Sequence, residues 1–452
     1  MRVAVIGLDG MPPRLLEELA PAMPNLTRLA RGGLALPMRS TDPPITVPAW
    51  SVMMSGRNPG ALGFTGFRNL RRGTYDDQYV ANATHVAEPR LWDLFGEANR
   101  KVVVHGVPQT WPARKVNGVM TTCLLTPDCA PFAYPPSVED EVREVVGGDY
   151  PFDVSGFRSR DRAELLDALH VMLDRHFDVA ERLATTREWD LFAMVEIGTD
   201  RVHHGFWRHH DPAHRLHEPD SPFRTAIADY YAHVDRRLGD FLAKLDNDTA
   251  VLVVSDHGAR AMDGAINLND WLVSEGLLAL KRAPSGVERF SPASVDWSRT
   301  KAWALGGYYA RVFVNLKGRE PEGCVRPGEY EAFRDDLASR LAALAPGTRV
   351  LKPEDVYRGP ATKEAPDLLV YLGNLRYRAH ESVGHASLVS ETAEVGTDDA
   401  NHDAWGVCIL HAGRAGPRLV APPAADILDV APTVLDLAGL PKPASLEGVS
   451  LV

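Results

Sequence analysis

The sequence predicts an α/β fold with a mainly parallel central sheet flanked by helices and a cap formed by an insertion. Short apolar runs alternate with longer stretches of helical periodicity, an alternation typical of crossover units in a parallel sheet. Acidic residues follow three of the runs, at the strand ends where such sheets bind ligands. A length of 452 residues allows one large α/β domain with insertions or two or three smaller domains.

The predicted strands are short apolar runs, as expected of strands that are buried on both faces of a sheet. The first, Arg2–Ile6, ends at Gly7. The other runs are Lys101–His105, Leu191–Ile197, Ala250–Val254, Leu368–Leu372 and Val407–His411.

Helices are predicted between these strands. In Phe223–Leu245, apolar residues recur at spacings of three and four, which gives a helix one apolar face. Arg160–Leu183 has a similar pattern. The apolar stretch Asp426–Leu440 is predicted to be a helix that packs on the sheet.

Two stretches are predicted to be insertions. Asn69–Pro89 is polar and rich in turn residues, and Asp263–Asp399 mixes helical patterns with short β-like runs. We therefore expect a catalytic core formed by residues 1–262 and 395–452 and a cap formed by residues 263–394. The alternative that Asp367–Leu372 returns to the core sheet stays open.

The composition of the chain limits the kinds of partner that it can be expected to bind. The formal net charge of −11 argues against long nucleic acid or an anionic membrane as the main partner, whereas a small anionic substrate stays compatible. The 4 cysteines show no CxxC spacing and are predicted to be reduced thiols. The chain opens on a strand and has no apolar run of membrane-spanning length, so a cytoplasmic location is predicted. Nothing in the sequence predicts the oligomeric state.

Candidate metal ligands follow the predicted strands. Asp9 comes after the first run, Asp200 after Leu191–Ile197, and Asp256 after Ala250–Val254. Because the carboxyl ends of parallel strands meet at one edge of a sheet, these carboxylates are predicted to lie close together.

Each of the last two carboxylates has a histidine nearby. Asp200 and His204 are four residues apart and share one face of a helix, whereas the competing His203 would point elsewhere. Asp256 and His257 are adjacent and can converge only at a bend. Gly258 permits that bend, and the alternative is a strand end with a capping aspartate.

Thr46 and His402 complete the candidate set. Thr46 lies where a turn enters a helix, with Pro48 in the first helical turn. There its hydroxyl can face a bound anion or metal, and the alternative is an ordinary helix cap. His402 lies in a polar loop before Val407–His411, and its local sequence does not distinguish it from His385 or His411.

In this order along the chain, the motifs resemble those of the alkaline phosphatase superfamily, specifically its type I phosphodiesterase/nucleotide pyrophosphatase family. The segments that carry the resemblance are Gly7-Leu8-Asp9-Gly10, Pro43-Pro44-Ile45-Thr46-Val47-Pro48-Ala49-Trp50, Gly56-Arg57-Asn58-Pro59-Gly60, Asp200 with His204, Ser255-Asp256-His257-Gly258, His402, and Asp429 with Ala431-Pro432-Thr433-Val434-Leu435.

The resemblance implies two divalent metal ions beside a threonine nucleophile, and it is the resemblance that selects His402. It assigns Asp200, His204 and His402 to one ion, and Asp9, Thr46, Asp256 and His257 to the other. Zn²⁺ suits this mixed oxygen and nitrogen set best, with Mn²⁺ and Fe²⁺ as alternatives.

Two departures from the family pattern bear on the substrate. The asparagine that contacts phosphate in nucleotide pyrophosphatases falls, by counting, near Phe67. The histidine of the turn after the nucleophile helix is absent, since Ala61-Leu62 precede Gly63. Both departures affect the specificity for nucleotide diesters and leave the metal chemistry unchanged.

The function predicted is hydrolysis of a phosphodiester or pyrophosphate bond in a small substrate, through a phosphothreonine intermediate. The alternatives within the superfamily are a phosphomonoesterase, a phosphonate hydrolase or a phosphomutase. A metal-binding protein without turnover is the alternative of another class. Tyr308, Tyr309 and Arg311 are candidates for substrate contacts from the cap.

Overall fold

The computed structural model describes residues 1–392, 394, 396 and 398–452. The strands are β1 (Val3–Leu8), β2 (Leu34–Arg39), β3 (Arg68–Leu70), β4 (Gln78–Val80), β5 (Val102–His105), β6 (Gly118–Thr121), β7 (Ala133–Tyr134), β8 (Leu191–Glu196), β9 (Ala250–Val254), β10 (Gly258–Ala261), β11 (Gly264–Ile266), β12 (Glu288–Arg289), β13 (Ala302–Leu305), β14 (Ala310–Val314), β15 (Arg349–Leu351), β16 (Leu368–Tyr371), β17 (Tyr377–Ala379), β18 (Ser382–Val383), β19 (Val389–Ser390), β20 (Ala400–Asp403), β21 (Trp405–His411) and β22 (Ala425–Asp426).

Helices connect many of these strands. They are α1 (Pro13–Glu18), α2 (Pro24–Gly32), α3 (Thr46–Ser55), α4 (Pro59–Leu62), α5 (Leu91–Glu97), α6 (Val138–Val146), α7 (Arg162–Thr186), α8 (Gly198–His210), α9 (Ala226–Leu242), α10 (Leu268–Ser274), α11 (Tyr330–Ala342), α12 (Pro353–Val356) and α13 (Val430–Ala438). The predicted helices therefore correspond to α7, α9 and α13, with ends that differ by a few residues.

The central sheet has nine strands in the order β22-β2-β21-β9-β1-β8-β5-β6-β7. The adjacent strands β9, β1, β8, β5 and β6 run parallel, and β22 runs parallel to β2. β21 is antiparallel to both of its neighbours, and β7 is antiparallel to β6. The prediction of a mainly parallel central sheet flanked by helices is confirmed.

Alternate residues of β1 enter two different cores. Ala4, Ile6 and Leu8 pack into a cluster that includes residues of α1, α2, α7, α8 and α9. Val3 and Val5 pack into a cluster that includes residues of α3, α5 and α13. Both faces of the strand are thus covered by helices, which explains why its sequence is apolar throughout.

A second sheet lies within the segment predicted to form the cap. Its strands have the order β13-β14-β16-β15, all antiparallel, and they share an apolar cluster with α10 and α11. The alternative that Asp367–Leu372 returns to the core sheet is wrong, because β16 pairs with β14 and β15 instead. A short apolar run suits either sheet, so composition could not decide. The proposed division into core and cap stays a prediction.

Candidate active site

Three carboxylates lie at one edge of the central sheet. β9, β1 and β8 are neighbours, and their carboxyl ends are followed closely by Asp256, Asp9 and Asp200 respectively. All three side chains are almost completely buried. The sequence therefore predicted correctly that they would converge.

Asp9 and Asp256 each use one oxygen in a hydrogen bond and leave the other free. Trp50 Nε1 donates to Asp9 Oδ2 at 2.7 Å, and the Gly10 N–H donates to Asp256 Oδ1 at 3.2 Å. Asp9 Oδ1 and Asp256 Oδ2 are buried without a hydrogen-bond partner among the described residues. A buried carboxylate oxygen without a partner is costly, so this pair is suited to bind a cation.

Thr46 is the first residue of α3 and is 2% exposed. Ile45 occupies the N-cap position, and no described side chain caps the helix. The alternative that the Thr46 hydroxyl merely caps the helix is therefore not realised. Instead, Thr46 Oγ1 lies 3.3 Å from His257 Nε2, the atom that is itself close to Asp9 Oδ1 and Asp256 Oδ2.

His257 lies at the predicted bend between β9 and β10. Its Nδ1 donates to the Gly258 carbonyl at 2.9 Å, since a carbonyl oxygen can only accept. This leaves the Nε2 lone pair 3.5 Å from Asp9 Oδ1 and 3.4 Å from Asp256 Oδ2.

Helix α8 brings Asp200 and His204 together as the i, i+4 spacing predicted, with Asp200 Oδ1 3.2 Å from His204 Nε2. Arg201 donates to the other oxygen, Asp200 Oδ2, at 2.5 Å. His203 faces elsewhere and contacts the hydroxyl of Tyr231 at 3.1 Å.

His402 reaches the site through β20, which pairs with β10. Its Nδ1 donates to the Pro44 carbonyl at 2.8 Å, and its Nε2 lies 3.7 Å from Asp200 Oδ1. The rings of His402 and His257 stack with centroids 3.7 Å apart. Of the three histidines that local sequence left open, this is the one beside the carboxylates.

Two compact groups of ligand atoms result. Asp9, Asp256 and His257 form one, and Asp200, His257 and His402 form the other, each with its atoms within 4.8 Å of one another. His204 contacts Asp200 but belongs to neither group, unlike the assignment that the resemblance implies. The groups share His257, so the two candidate cation positions are adjacent.

The histidines have a common orientation that fits metal binding. His257, His402 and His204 each bond an oxygen acceptor through Nδ1 and direct Nε2 at a carboxylate. Such acceptors fix the tautomer of metal-ligating histidines. A neutral Nε2 lone pair repels a carboxylate oxygen unless a cation lies between them, so these residues fit divalent cations.

The pKa values of these side chains reflect their burial and the closeness of their charges. Burial, reinforced by Asp256 and Asp200, raises the pKa of Asp9 well above its usual range, and burial raises the pKa of Asp256 to about 6. Burial opposes charge on His204 as well, yet Asp200 and Asp398 raise its pKa to about 9. Without a metal ion, protons on these groups supply part of the positive charge that the carboxylates require.

The rim of the site contains Asp398, to which sequence reasoning gave no role, and the predicted contact residue Tyr308. Asp398 accepts from His204 Nδ1 at 2.6 Å and pairs with Arg158 at 2.7 Å and Arg378 at 3.0 Å. The Tyr308 ring stacks on His204, with its hydroxyl 3.2 Å from Nε2. Sequence offered one signal, since Tyr308 was a candidate contact and Asp398 precedes His402 in the same polar segment.

The other cap candidates lie elsewhere. The Tyr309 hydroxyl donates to the Thr65 carbonyl at 2.7 Å, and Arg311 donates to the backbone carbonyls of Arg68 and Gly306. The contacts with Thr65 and Arg68 connect the predicted cap to the segment that follows α4, so these side chains hold backbone there.

Comparison with known proteins places these observations in a family. Residues 3–401 match the family model of type I phosphodiesterase/nucleotide pyrophosphatase. No curated protein sequence matches significantly. Within the described residues, no helix combines the length and apolarity needed to cross a membrane, and the cytoplasmic location stays a prediction.

Solved structures show a similar fold. Phosphonoacetate hydrolase from Sinorhizobium meliloti 1021 in complex with phosphonoacetate superposes with a TM-score of 0.64 and 17% identity, covering 97% of this chain and 96% of that one. Human ectonucleotide pyrophosphatase/phosphodiesterase 5 has a TM-score of 0.57 and 13% identity, covering 98% and 96%. An inactive threonine-to-alanine variant of the murine protein in complex with AMP has a TM-score of 0.56 and 13% identity, with the same coverage of 98% and 96%.

At such low identity, the structural similarity shows the fold alone. The family model shows the family, because it covers residues 3–401 of the 452 in the chain. The family hydrolyses phosphoester bonds and depends on metal ions, in agreement with the buried ligand groups. This chain belongs to the type I phosphodiesterase/nucleotide pyrophosphatase family.

Proposed function

We propose that this chain hydrolyses phosphodiester or pyrophosphate bonds in small substrates, with two divalent metal ions and Thr46 as the nucleophile. Zn²⁺ is the proposed metal, with Mn²⁺ and Fe²⁺ as alternatives. The proposed ligands of one ion are Asp200, His204 and His402, and those of the other are Asp9, Thr46, Asp256 and His257.

One observation carries the proposal. The three histidines all present Nε2 to the site while Nδ1 is held by an acceptor. Asp9 Oδ1 and Asp256 Oδ2 have no hydrogen-bond partner among the described residues, and Thr46 Oγ1 contacts the His257 Nε2 that lies between them. Purely structural polar groups in a protein core are normally satisfied by one another. A cluster of lone pairs around one hydroxyl is therefore best explained by cation binding next to a nucleophile.

The start of α3 supports phosphoryl transfer. Thr46 and Val47 lie in the first helical turn, where backbone N–H groups have no acceptor within the helix, so they can donate to a phosphoryl oxygen. Thr46 Oγ1 attacks phosphorus and the alcohol or phosphate group leaves. Water then hydrolyses the phosphothreonine ester. When bound, divalent cations lower the pKa of attacking hydroxyl groups and offset the charge that develops on the phosphoryl oxygens.

The solved relatives add support for this assignment. A threonine-to-alanine variant of the murine ectonucleotide pyrophosphatase/phosphodiesterase is inactive and is found in complex with AMP. Thr46 is the threonine at the centre of the site in this chain, and a nucleoside monophosphate is the kind of product that nucleotide diester cleavage releases.

Charged residues at the rim of the site favour a second candidate function, namely hydrolysis of a phosphonate that carries another anionic group. Arg158 and Arg378 share one counter-ion, Asp398, and both lie against the Tyr308 ring. This leaves positive charge next to the site. The structurally similar Sinorhizobium meliloti enzyme is named for phosphonoacetate, a substrate of that type.

A metal-dependent substrate panel tests the proposal. The purified chain is stripped with a chelator, reloaded with Zn²⁺ or Mn²⁺, and assayed with bis-p-nitrophenyl phosphate, p-nitrophenyl phosphate, a p-nitrophenyl phosphonate ester and phosphonoacetate. We expect activity only after reloading, with the highest kcat/KM for the diester. Full activity after exhaustive chelation would contradict the role of metals, and a preference for phosphonoacetate would establish the second candidate.

A further inference from the structure

A second group of potential metal ligands lies outside the site described above. It consists of His380, His385 and Glu394, whose ligand atoms lie within 4.8 Å of one another. Two imidazoles and one carboxylate form a set that binds Zn²⁺ in many proteins. None of the three residues takes part in the candidate active site.

The His380 ring is held in one orientation. It is 3% exposed, and its Nδ1 donates to Asn267 Oδ1 at 2.8 Å, because an amide oxygen can only accept. Nδ1 also lies 3.7 Å from Glu394 Oε1, so this edge of the ring faces the cluster, whereas Nε2 forms no hydrogen bond with any described residue. A cation bound between His380 Nδ1 and the Glu394 carboxylate would replace the hydrogen bond to Asn267 Oδ1.

His385 and Glu394 meet at the hydroxyl of Ser382. Ser382 Oγ lies 2.5 Å from His385 Nε2 and also contacts Glu394 Oε1. The Glu394 carboxylate accepts the backbone N–H groups of Glu381 and Ser382 at 3.2 Å and 2.9 Å. Both side chains are therefore already oriented toward one point.

The backbone at His385 is held as well. The N–H groups of Gly384 and His385 donate to the carboxylate of Asp270 at 2.7 Å and 3.1 Å. A site whose backbone is fixed in this way loses little conformational freedom when an ion binds.

We propose that His380, His385 and Glu394 bind a Zn²⁺ ion that is distinct from the ions of the active site, with the Ser382 hydroxyl as a further ligand. The ion would connect three segments, namely the residue after β17, the turn after β18 and the segment that leads to Asp398. Since Asp398 holds His204 at the active site, the ion would also fix the position of this segment.

Metal analysis tests the proposal directly. The wild-type chain and the variants His385→Ala and Glu394→Gln are equilibrated with buffered Zn²⁺, and bound metal is measured by mass spectrometry. The controls are His411→Gln and Glu391→Gln, which remove a histidine and a carboxylate outside the group. We expect both cluster variants to bind one Zn²⁺ fewer than the wild-type chain and both controls to bind as much as the wild type.

Equal zinc content in the wild-type chain and Glu394→Gln would overturn the proposal. Glu394 is exposed, so that substitution leaves the fold intact even if His385→Ala does not fold. Asp256→Asn, which changes the active site only, should lose metal independently of the cluster variants. The number of metal ions bound by each variant therefore distinguishes this site from the proposed metal sites of the active site.

Protease protection gives a second readout. A protease that cuts after glutamate is expected to cleave the wild-type chain at Glu391 more slowly when Zn²⁺ is present. His385→Ala should show no such protection. Cleavage rates that do not depend on Zn²⁺ in the wild-type chain would contradict a role of the ion in holding this segment.

Discussion

Thr46 and Trp50 lie one turn apart on α3 and contact different members of the same buried cluster. Thr46 Oγ1 is 3.3 Å from His257 Nε2, whereas Trp50 Nε1 donates to Asp9 at 2.7 Å. One short helix thus supplies both the proposed nucleophile and the donor that orients a proposed metal ligand. Replacing Thr46 and replacing Trp50 should therefore have different effects on turnover and metal binding.

Replacing the nucleophile should stop turnover and leave metal binding largely intact. For Thr46→Ala we expect kcat to fall by at least about 10³-fold, because no hydroxyl remains to attack phosphorus. Thr46→Ser should keep part of the activity. Ser51→Ala is the control, since Ser51 Oγ lies on the same helix and donates to the Val47 carbonyl at 2.9 Å. Steady-state kinetics with the preferred ester measure all three, and an active Thr46→Ala enzyme would exclude Thr46 as nucleophile.

Replacing Trp50 by phenylalanine should weaken metal binding. The change removes the donor to Asp9 Oδ2, and loss of a partner that orients a metal ligand commonly costs about 10- to 100-fold in affinity. Chelator competition measures this loss. Trp303→Phe is the matched control, because Trp303 is equally buried in β13 and its Nε1 has no hydrogen-bond partner among the described residues. The same metal affinity in both variants would argue against this role of Trp50.

At the scale of elements, the contact between β1 and α3 depends on the absence of a side chain at Gly7. A Cβ at Gly7 would lie 2.3 Å from Cη2 of Trp50 and 2.7 Å from Cγ2 of Val195. The large indole therefore packs directly against β1, the strand that precedes Asp9. This close packing fixes the distance between the proposed nucleophile helix and the proposed ligands.

We accordingly expect Gly7→Ala to lower the free energy of unfolding by about 1–3 kcal/mol, the usual cost of overpacking a core. Urea denaturation followed by circular dichroism measures the change. Gly286→Ala serves as the control, since a Cβ there meets no described atom within 4 Å. Equal stability of the two variants would show that the strand and helix can separate without cost.

At the scale of the whole molecule, buried histidines make stability depend on pH. Burial lowers the pKa of His105 from 6.5 to about 3. The unfolded chain therefore binds a proton at His105 between those two pH values, whereas the folded chain does not. The free energy of unfolding should fall as the pH drops through this window, by up to about 1.4 kcal/mol per pH unit for this one residue.

Urea denaturation at several pH values between about 6.5 and 3 measures this dependence. His105→Gln removes the titrating group, so its slope against pH should be smaller than that of the wild-type chain. Identical slopes would show that His105 does not contribute to acid sensitivity.

Much of the architecture could be predicted from local sequence, because strands buried on both faces must be apolar and ligands collect at their carboxyl ends. The convergence of Asp9, Asp200 and Asp256 followed from that rule. The bond from Trp50 to Asp9 and the bond between Asp398 and His204 could not be predicted, since they join residues 41 and 194 positions apart. The sheet that contains β16 could not be predicted either, because the composition of a short apolar run does not identify the strands with which it pairs.

The order of strands has a consequence for how the protein is made. β2 lies early in the sequence, whereas both of its neighbours in the sheet, β21 and β22, come much later. While the ribosome is still translating the middle of the message, both edges of this strand lack their native partners. His402, too, emerges shortly before β21. Completion of the sheet and assembly of the candidate active site therefore both require synthesis of residues 400–426, and a chain released before that point would have neither.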